Sequence, residues 1–205
     1  MELILQRELP HQQKAVDAIN AVFDGVQITA PTKFYENPHI TLADPRLAAN
    51  IREIQSGIPV EFRSNALIVD CLNLDIKMET GTGKTYVYTK VMFELYARYG
   101  LNKFIIAVPS LAIKAGTAQF LQDEYARQHF TDSCGYDTEM EVGVLGVPKN
   151  KKRGRSYFPS VVSDFVKGSC QNTKKIYVML INMQLLTGAK MLTRDEAQFV
   201  KLSIK

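Results

Sequence analysis

The chain is poor in cysteine and histidine and has no long apolar run. Its three cysteines, Cys71, Cys134 and Cys170, lie far apart and form no CxxC pair. That excludes a disulfide framework or a cysteine zinc site and fits a reducing compartment. The three histidines, His11, His39 and His129, are equally scattered and form no HExxH. No structural metal is expected from them. No stretch approaches the ~18 apolar residues that a membrane span requires. The charged start, Met1-Glu2-Leu3-Ile4-Leu5-Gln6-Arg7-Glu8, has no signal-peptide core. A soluble, cytoplasmic protein with no membrane partner is the expectation.

What is present suits a globular fold. The 205 residues, 46% of them hydrophobic, suffice for one large domain or two small ones with a real core. The net charge of +4 is a mild basic bias that permits nucleic acid without pointing to it. The basic residues concentrate in Lys149-Asn150-Lys151-Lys152-Arg153-Gly154-Arg155, between Pro148 and Pro159. Residues 147–160 are therefore expected to form an exposed basic loop. Its Lys151, Lys152 and Arg153 would either sit in solvent or contact phosphates without reading sequence.

The strongest signal is Met78-Glu79-Thr80-Gly81-Thr82-Gly83-Lys84-Thr85. A glycine-rich turn at a helix start offers backbone N–H groups to an anion. Thr80, Gly81, Thr82 and Gly83 would cradle the phosphates of a nucleotide. Lys84 would reach the β- and γ-phosphates, and the Thr85 hydroxyl would hold Mg²⁺. The strict pattern begins with Gly where this chain has Met78. The context still fits: Leu72 to Lys77 reads as a strand, and a helix with Val87, Val91 and Leu95 inward follows, stopped by Gly100.

The other elements read as alternating helices and strands. A helix opens at Leu9-Pro10, with Ala15, Ile19, Val22 and Phe23 on its apolar face, and Gly25 ends it. Residues 26–65, with Pro31, Pro38, Pro45 and Pro59, read as an insertion before the core sheet, carrying a short helix from Leu47 to Ile54. Ala66 to Asp70 is β-like. Lys103 to Val108 suits a central parallel strand. Leu111 to Gln128 looks helical and weakened at Gly116. Glu141 to Leu145 and Lys175 to Ile181 read as strands. The pattern implies an α/β fold with a mostly parallel sheet sandwiched by helices, with ligands at the carboxyl ends of the strands.

Hydrolysis also needs a carboxylate for the magnesium, usually at the end of a neighbouring strand. The strand from Lys175 runs into Asn182-Met183-Gln184, without Asp or Glu. Asp195-Glu196 follows no strand and reads as a helix-start pair.

Leu74 to Tyr88 resembles the first helicase motif of the restriction (Res) subunit of type III restriction–modification enzymes, which are superfamily 2 helicase-like, ATP-dependent DNA translocases. Leu9-Pro10-His11-Gln12-Gln13-Lys14-Ala15-Val16 resembles the glutamine motif of that superfamily. The resemblance gives Gln12 contact with adenine, with Gln13 the close competitor. Phe104 to Ser110 resembles the motif that grips the DNA backbone, which implies DNA contact at Pro109 and Ser110, with Lys114 one helical turn on. Val178 to Met183 resembles a later DNA-contacting strand end. The resemblance covers nearly the whole chain. It implies an incomplete first RecA-like (P-loop) motor domain over residues 1–205, with ATP and Mg²⁺ as cofactors and double-stranded DNA and a methyltransferase (Mod) subunit as partners. The family's Asp-Glu motif, second RecA-like domain and nuclease are not found, so an N-terminal fragment with little hydrolysis of its own is expected. Two rival readings are a small P-loop kinase, disfavoured by sparse arginines between Arg98 and Arg153, and a non-catalytic module that binds DNA or the partner subunit.

Overall fold

The computed structural model describes residues 5–6, 9–63, 71–146, 159–171 and 174–187. The expected strand at Ala66 to Asp70, the core of the basic loop with Lys151, Lys152 and Arg153, and Asp195-Glu196 lie outside the described residues. The chain divides into two compact units. One comprises Gln6–Pro31 and Pro38–Leu101; the other comprises Met1–Leu5, Thr32–Asn37 and Asn102–Lys205. The stretch 26–65, expected as one insertion, is thus shared between them.

The first unit is built on three helices. α1 spans Pro10–Val22, with proline at its first position, where the missing N–H is not needed. Its buried residues are Gln12, Val16, Asn20 and Val22, with Phe23 just after its end, and Ala15 and Ile19 are partly buried against the same cores. The apolar positions read in the sequence thus face inward, and two polar side chains, Gln12 and Asn20, join them there. β1 (Ile28–Thr29) and β2 (His39–Ile40) form a short antiparallel pair. α2 spans Pro45–Ser56, longer at both ends than the expected helix. α3 spans Lys84–Tyr99 and ends at left-handed Gly100, whose N–H bonds to the Tyr96 carbonyl. Val22, Phe23, Val26, Leu47 and Ile51 form one core between α1 and α2. Val16, Val87 and Val91 fasten α1 to α3.

Asp44 caps α2. Its carboxylate accepts from the Arg46 N–H at 3.0 Å and from the Gln27 N–H at 2.8 Å, and pairs with the Arg46 guanidinium at 2.9 Å. The Arg46 side chain, helped by the two backbone N–H groups, holds this carboxyl well below the usual carboxylate range. A depressed carboxyl stabilises the fold above its unfolded value, near 3.9, and loses that contribution as pH falls toward the folded value. Asp44→Asn is therefore expected to lower the melting temperature at neutral pH, with the deficit shrinking below about pH 4. Melts recorded across pH check this.

The segment before the glycine-rich turn is not the expected strand. Leu72 makes a single bridge, and residues 73–79 carry no regular structure. The side chains still alternate: Leu72 and Leu74 are partly buried against the α1–α2 core, while Asn73 and Asp75 face out. The alternation stops there, since Ile76 is exposed like Asp75 and Lys77, and no ladder of hydrogen bonds completes a strand among the described residues.

The second unit holds a three-stranded parallel sheet flanked by helices. β3 is Lys103–Val108, α4 Leu111–Gln122, α5 Glu124–Gln128, β4 Glu139–Val144, α6 Ser160–Lys167, β5 Lys175–Asn182 and α7 Met183–Thr187. The order is β3-β5-β4, so β5 is central and β3 lies at an edge among the described strands. Burial follows that order among the described strands. Six consecutive-to-alternate positions of β5 are buried, whereas Phe104, Ile105 and Ile106 of β3 are only partly buried and Ala107 is exposed. Met179 and Ile181 pack on Val162, Phe165 and Val166 of α6, and α4 lies against all three strands. The expected long helix after β3 breaks at Asp123, not at Gly116. Asp123 is extended, and its carboxylate accepts from the Ala126 N–H to start α5. Asn37 fixes the start of β3, its side chain accepting from the Asn102 and Lys103 N–H groups and donating to the Lys103 carbonyl.

Candidate functional site: a glycine-rich loop at the start of a helix

The turn before α3 is shaped by two glycines in the left-handed region, Gly81 at φ 84° and Gly83 at φ 85°. Gly83 is also the N-cap of α3, and no side chain caps that helix. An uncapped helix start leaves backbone donors for a ligand or water. The loop is closed by its own side chains. Lys84 Nζ donates to the Met78 and Glu79 carbonyls at 2.8 and 2.6 Å, and Thr82 Oγ1 donates to the Glu79 carbonyl at 2.7 Å. Lys84 is exposed, so a stronger acceptor such as a phosphate can take its ammonium without unpacking anything. Thr85 is partly buried at the second residue of α3.

The first turn of α1 reaches this loop. Gln12 Nε2 donates to the Thr82 carbonyl at 3.1 Å, and His11 Nε2 sits 3.1 Å from the same oxygen. A carbonyl only accepts, which fixes both side chains: His11 carries a proton on Nε2, and the amide of Gln12 presents its nitrogen. Gln12 Oε1 is then left buried with no hydrogen-bond partner. Gln13, the competitor, is engaged at both ends, accepting from Lys90 at 2.7 Å and donating to Asp17 at 2.7 Å. The geometry therefore favours Gln12 as the group with a vacant acceptor. His11 is the residue that sequence reasoning missed. Its only signal was its place beside Gln12 in the first helical turn. A cavity of about 720 Å³ opens in the same unit, with His11, Thr82 and Met78 toward the loop and Ile19, Ile54 and Phe62 toward α2.

The residues expected to grip DNA follow β3. Pro109 is exposed. Ser110 is the N-cap of α4, its Oγ accepting from the Ile113 N–H at 3.2 Å. Lys114 is buried, and its ammonium donates to the Leu145 carbonyl. Burial pushes its pKa down. Its charge is directed inward, and it would meet a phosphate only by leaving that carbonyl. Asn182, at the end of β5, is buried and accepts from the Gln184 N–H at 3.1 Å. Among the described residues no group of three His, Cys, Asp or Glu is placed to hold a metal, and no helix is long and apolar enough to cross a membrane.

Taken together, a parallel sheet flanked by helices defines a mixed α/β protein consistent with a RecA-like domain. The chain belongs to the family described as "Type III restriction enzyme, res subunit", whose model matches residues 7–202. It is 38% identical over 190 residues to the EcoPI Res subunit of Escherichia phage P1, covering 88% of this chain and 19% of that protein. It is 40% identical over 195 residues to the StyLTI Res subunit of Salmonella typhimurium, covering 94% of this chain and 17% of that protein. The EcoP15I Res subunit of Escherichia coli is 37% identical over 193 residues, 90% of this chain and 19% of its own length. The chain thus spans about a fifth of the length of these relatives.

Proposed function

We propose that this chain is the ATP-binding part of an ATP-dependent DNA translocase and endonuclease of the type III restriction class. The observation that carries the reading is the glycine-rich turn closing at left-handed Gly83 into an uncapped α3, with the Lys84 ammonium held over the turn. Thr80, Gly81, Thr82 and Gly83 would hold the phosphates, with Lys84 neutralising their charge and Thr85 as the protein's ligand to Mg²⁺. The fit of an adenine nucleotide is supported by Gln12, whose unpaired buried Oε1 is an acceptor for an exocyclic amino group. An unpaired buried acceptor costs about 1–3 kcal/mol, so a ligand donor that meets it offsets that cost. Bound Mg-ATP would supply the phosphoryl group whose hydrolysis drives movement. The chain's own residues bind and orient it, while the carboxylate and water-positioning groups that turnover needs are not evident in the sequence.

In the intact relative-like protein, double-stranded DNA would run past Pro109 and Ser110 at the carboxyl end of β3, and a methyltransferase (Mod) subunit would be the partner. Lys151, Lys152 and Arg153 would add backbone contacts. A cytoplasmic setting agrees with the sparse, widely spaced cysteines Cys71, Cys134 and Cys170.

Gln12→Ala tests the base assignment. The parent is expected to prefer Mg-ATP to Mg-GTP, because the 6-oxo group of guanine offers Oε1 no donor. The variant should lose that preference, by roughly tenfold, the worth of one hydrogen bond of about 1.4 kcal/mol. Competition titrations with the two nucleotides read it. Retained preference in the variant would remove Gln12 from the site.

A further inference from the structure

We propose that His11 is a positioning residue of the phosphate loop, holding the Thr82–Gly83 peptide in the orientation that suits phosphates; the inference rests on the nucleotide-binding reading above. Thr82 lies between two glycines, both at positive φ. Glycine places little steric restriction on the backbone beside it, so sterics alone do not fix which way the intervening peptide faces. Hydrogen bonding does. The Thr82 carbonyl is tied toward the first turn of α1 by two side chains, His11 and Gln12, each at 3.1 Å. In a planar trans peptide the carbonyl and the N–H point in opposite directions. Tying the Thr82 oxygen to α1 therefore turns the Gly83 N–H away from α1. A reversed peptide would withdraw that donor and present an oxygen that repels a phosphate.

The two clamps are not equivalent. Gln12 has a second task in the proposed site, since its Oε1 is buried and unpaired. An amide that turns to serve a base weakens its hold on Thr82. His11 has no second task in the proposed site, and a carbonyl oxygen has lone pairs for both donors. His11 keeps the peptide oriented while Gln12 is free to respond to the ligand. His11 is exposed, so replacing it removes the clamp without opening the core.

The test uses the 205-residue chain and its His11→Ala, His11→Gln and Lys84→Ala variants. Calorimetry gives affinities for Mg-ATP and for adenosine, and hydrogen exchange without ligand reports the amides of residues 80–85. His11→Ala should bind Mg-ATP about tenfold more weakly, the worth of one hydrogen bond. Adenosine affinity should be unchanged, because adenosine carries no phosphate for the loop to hold. Exchange at residues 80–85 should rise while the rest of α3 stays protected. His11→Gln, which restores a side-chain donor, should recover most of both effects. Parental Mg-ATP affinity and parental loop exchange in His11→Ala, with binding lost in Lys84→Ala, would overturn the role of His11 alone. Parallel weakening of adenosine and Mg-ATP would also overturn it, by placing His11 at the base. Undiminished Mg-ATP binding in Lys84→Ala would instead overturn the phosphate-loop reading on which this one rests.

Discussion

Lys84→Ala is expected to abolish Mg-ATP binding and leave the fold intact. The two halves of that expectation have separate causes. Lys84 Nζ donates to two carbonyls of the loop, at Met78 and Glu79. A phosphate oxygen carries far more negative charge than either, so the ammonium transfers to the ligand when one arrives. Hydrogen bonds to charged groups contribute about 1.5–3 kcal/mol each. Losing one or two of them, together with the positive charge, weakens binding by roughly a hundredfold or more. The fold depends little on the same side chain. Lys84 is exposed, and the carbonyls it leaves, on the partly buried Met78 and the exposed Glu79, lie where water can reach the turn. Calorimetric titration with Mg-ATP reads the first effect, and a thermal melt within a few degrees of the parent reads the second. Parental affinity in the variant would refute the phosphate-loop assignment.

The second large effect is expected at Gly83, and Gly81 supplies its control. Both glycines have nearly the same φ, 85° and 84°. An alanine at either pays the left-handed penalty, about 1–2 kcal/mol. The surroundings differ. A Cβ at Gly81 meets nothing within 4 Å, whereas a Cβ at Gly83 would lie 2.3 Å from Gln12 Nε2. The Gln12 amide is a flexible tip, so it moves, and its bond to the Thr82 carbonyl breaks. Gly83→Ala should therefore destabilise the chain more than Gly81→Ala, by about the 1 kcal/mol of the hydrogen bond it breaks. Gly83→Ala should lose markedly more Mg-ATP affinity, roughly another tenfold, because it alone displaces Gln12. Denaturant melts and nucleotide titrations on the pair check this. Equal affinity losses would mean that the Gln12–Thr82 contact plays no part in binding.

Much of the fold was legible because local chemistry and tertiary packing agree. α2, α3, β3, β4 and β5 all fall at or near the positions their periodicity predicts. Gly100 stops α3 by the left-handed turn that only its missing Cβ makes cheap. The failures have particular causes. The buried face of α1 is wider than its apolar positions, because Gln12 and Asn20 lie on it too. Their burial serves the loop and the packing, and hydropathy alone reads them as surface. Leu72 to Asp75 has the side-chain alternation of a strand, yet a strand exists only where a neighbour supplies hydrogen bonds, which sequence periodicity cannot show. Among the described strands the centre is β5, not β3, because an apolar run alone does not distinguish a central strand from one at a covered edge. The break at Asp123 was overlooked because the cap works only once Asp123 is extended.

The site divides the same way. Gly81, Gly83, Lys84 and Thr85 are legible because their chemistry is local to one turn. The choice between Gln12 and Gln13 is not local. It depends on Lys90 and Asp17 occupying one amide while the other is left with a buried acceptor. His11 and Lys114 carry the opposite lesson. A histidine that looked scattered reaches the loop, and a lysine expected at the surface donates its charge to the backbone inside.

The central claim is that this chain binds an adenine nucleotide through the turn at Gly81 to Thr85. Calorimetric titration of the purified chain with Mg-ATP, run beside Mg-GTP and with released phosphate assayed in the same samples, tests it most directly. The account predicts saturable one-to-one binding of Mg-ATP, weaker binding of Mg-GTP and little phosphate release. Absence of binding, or equal binding of the two nucleotides, would contradict it.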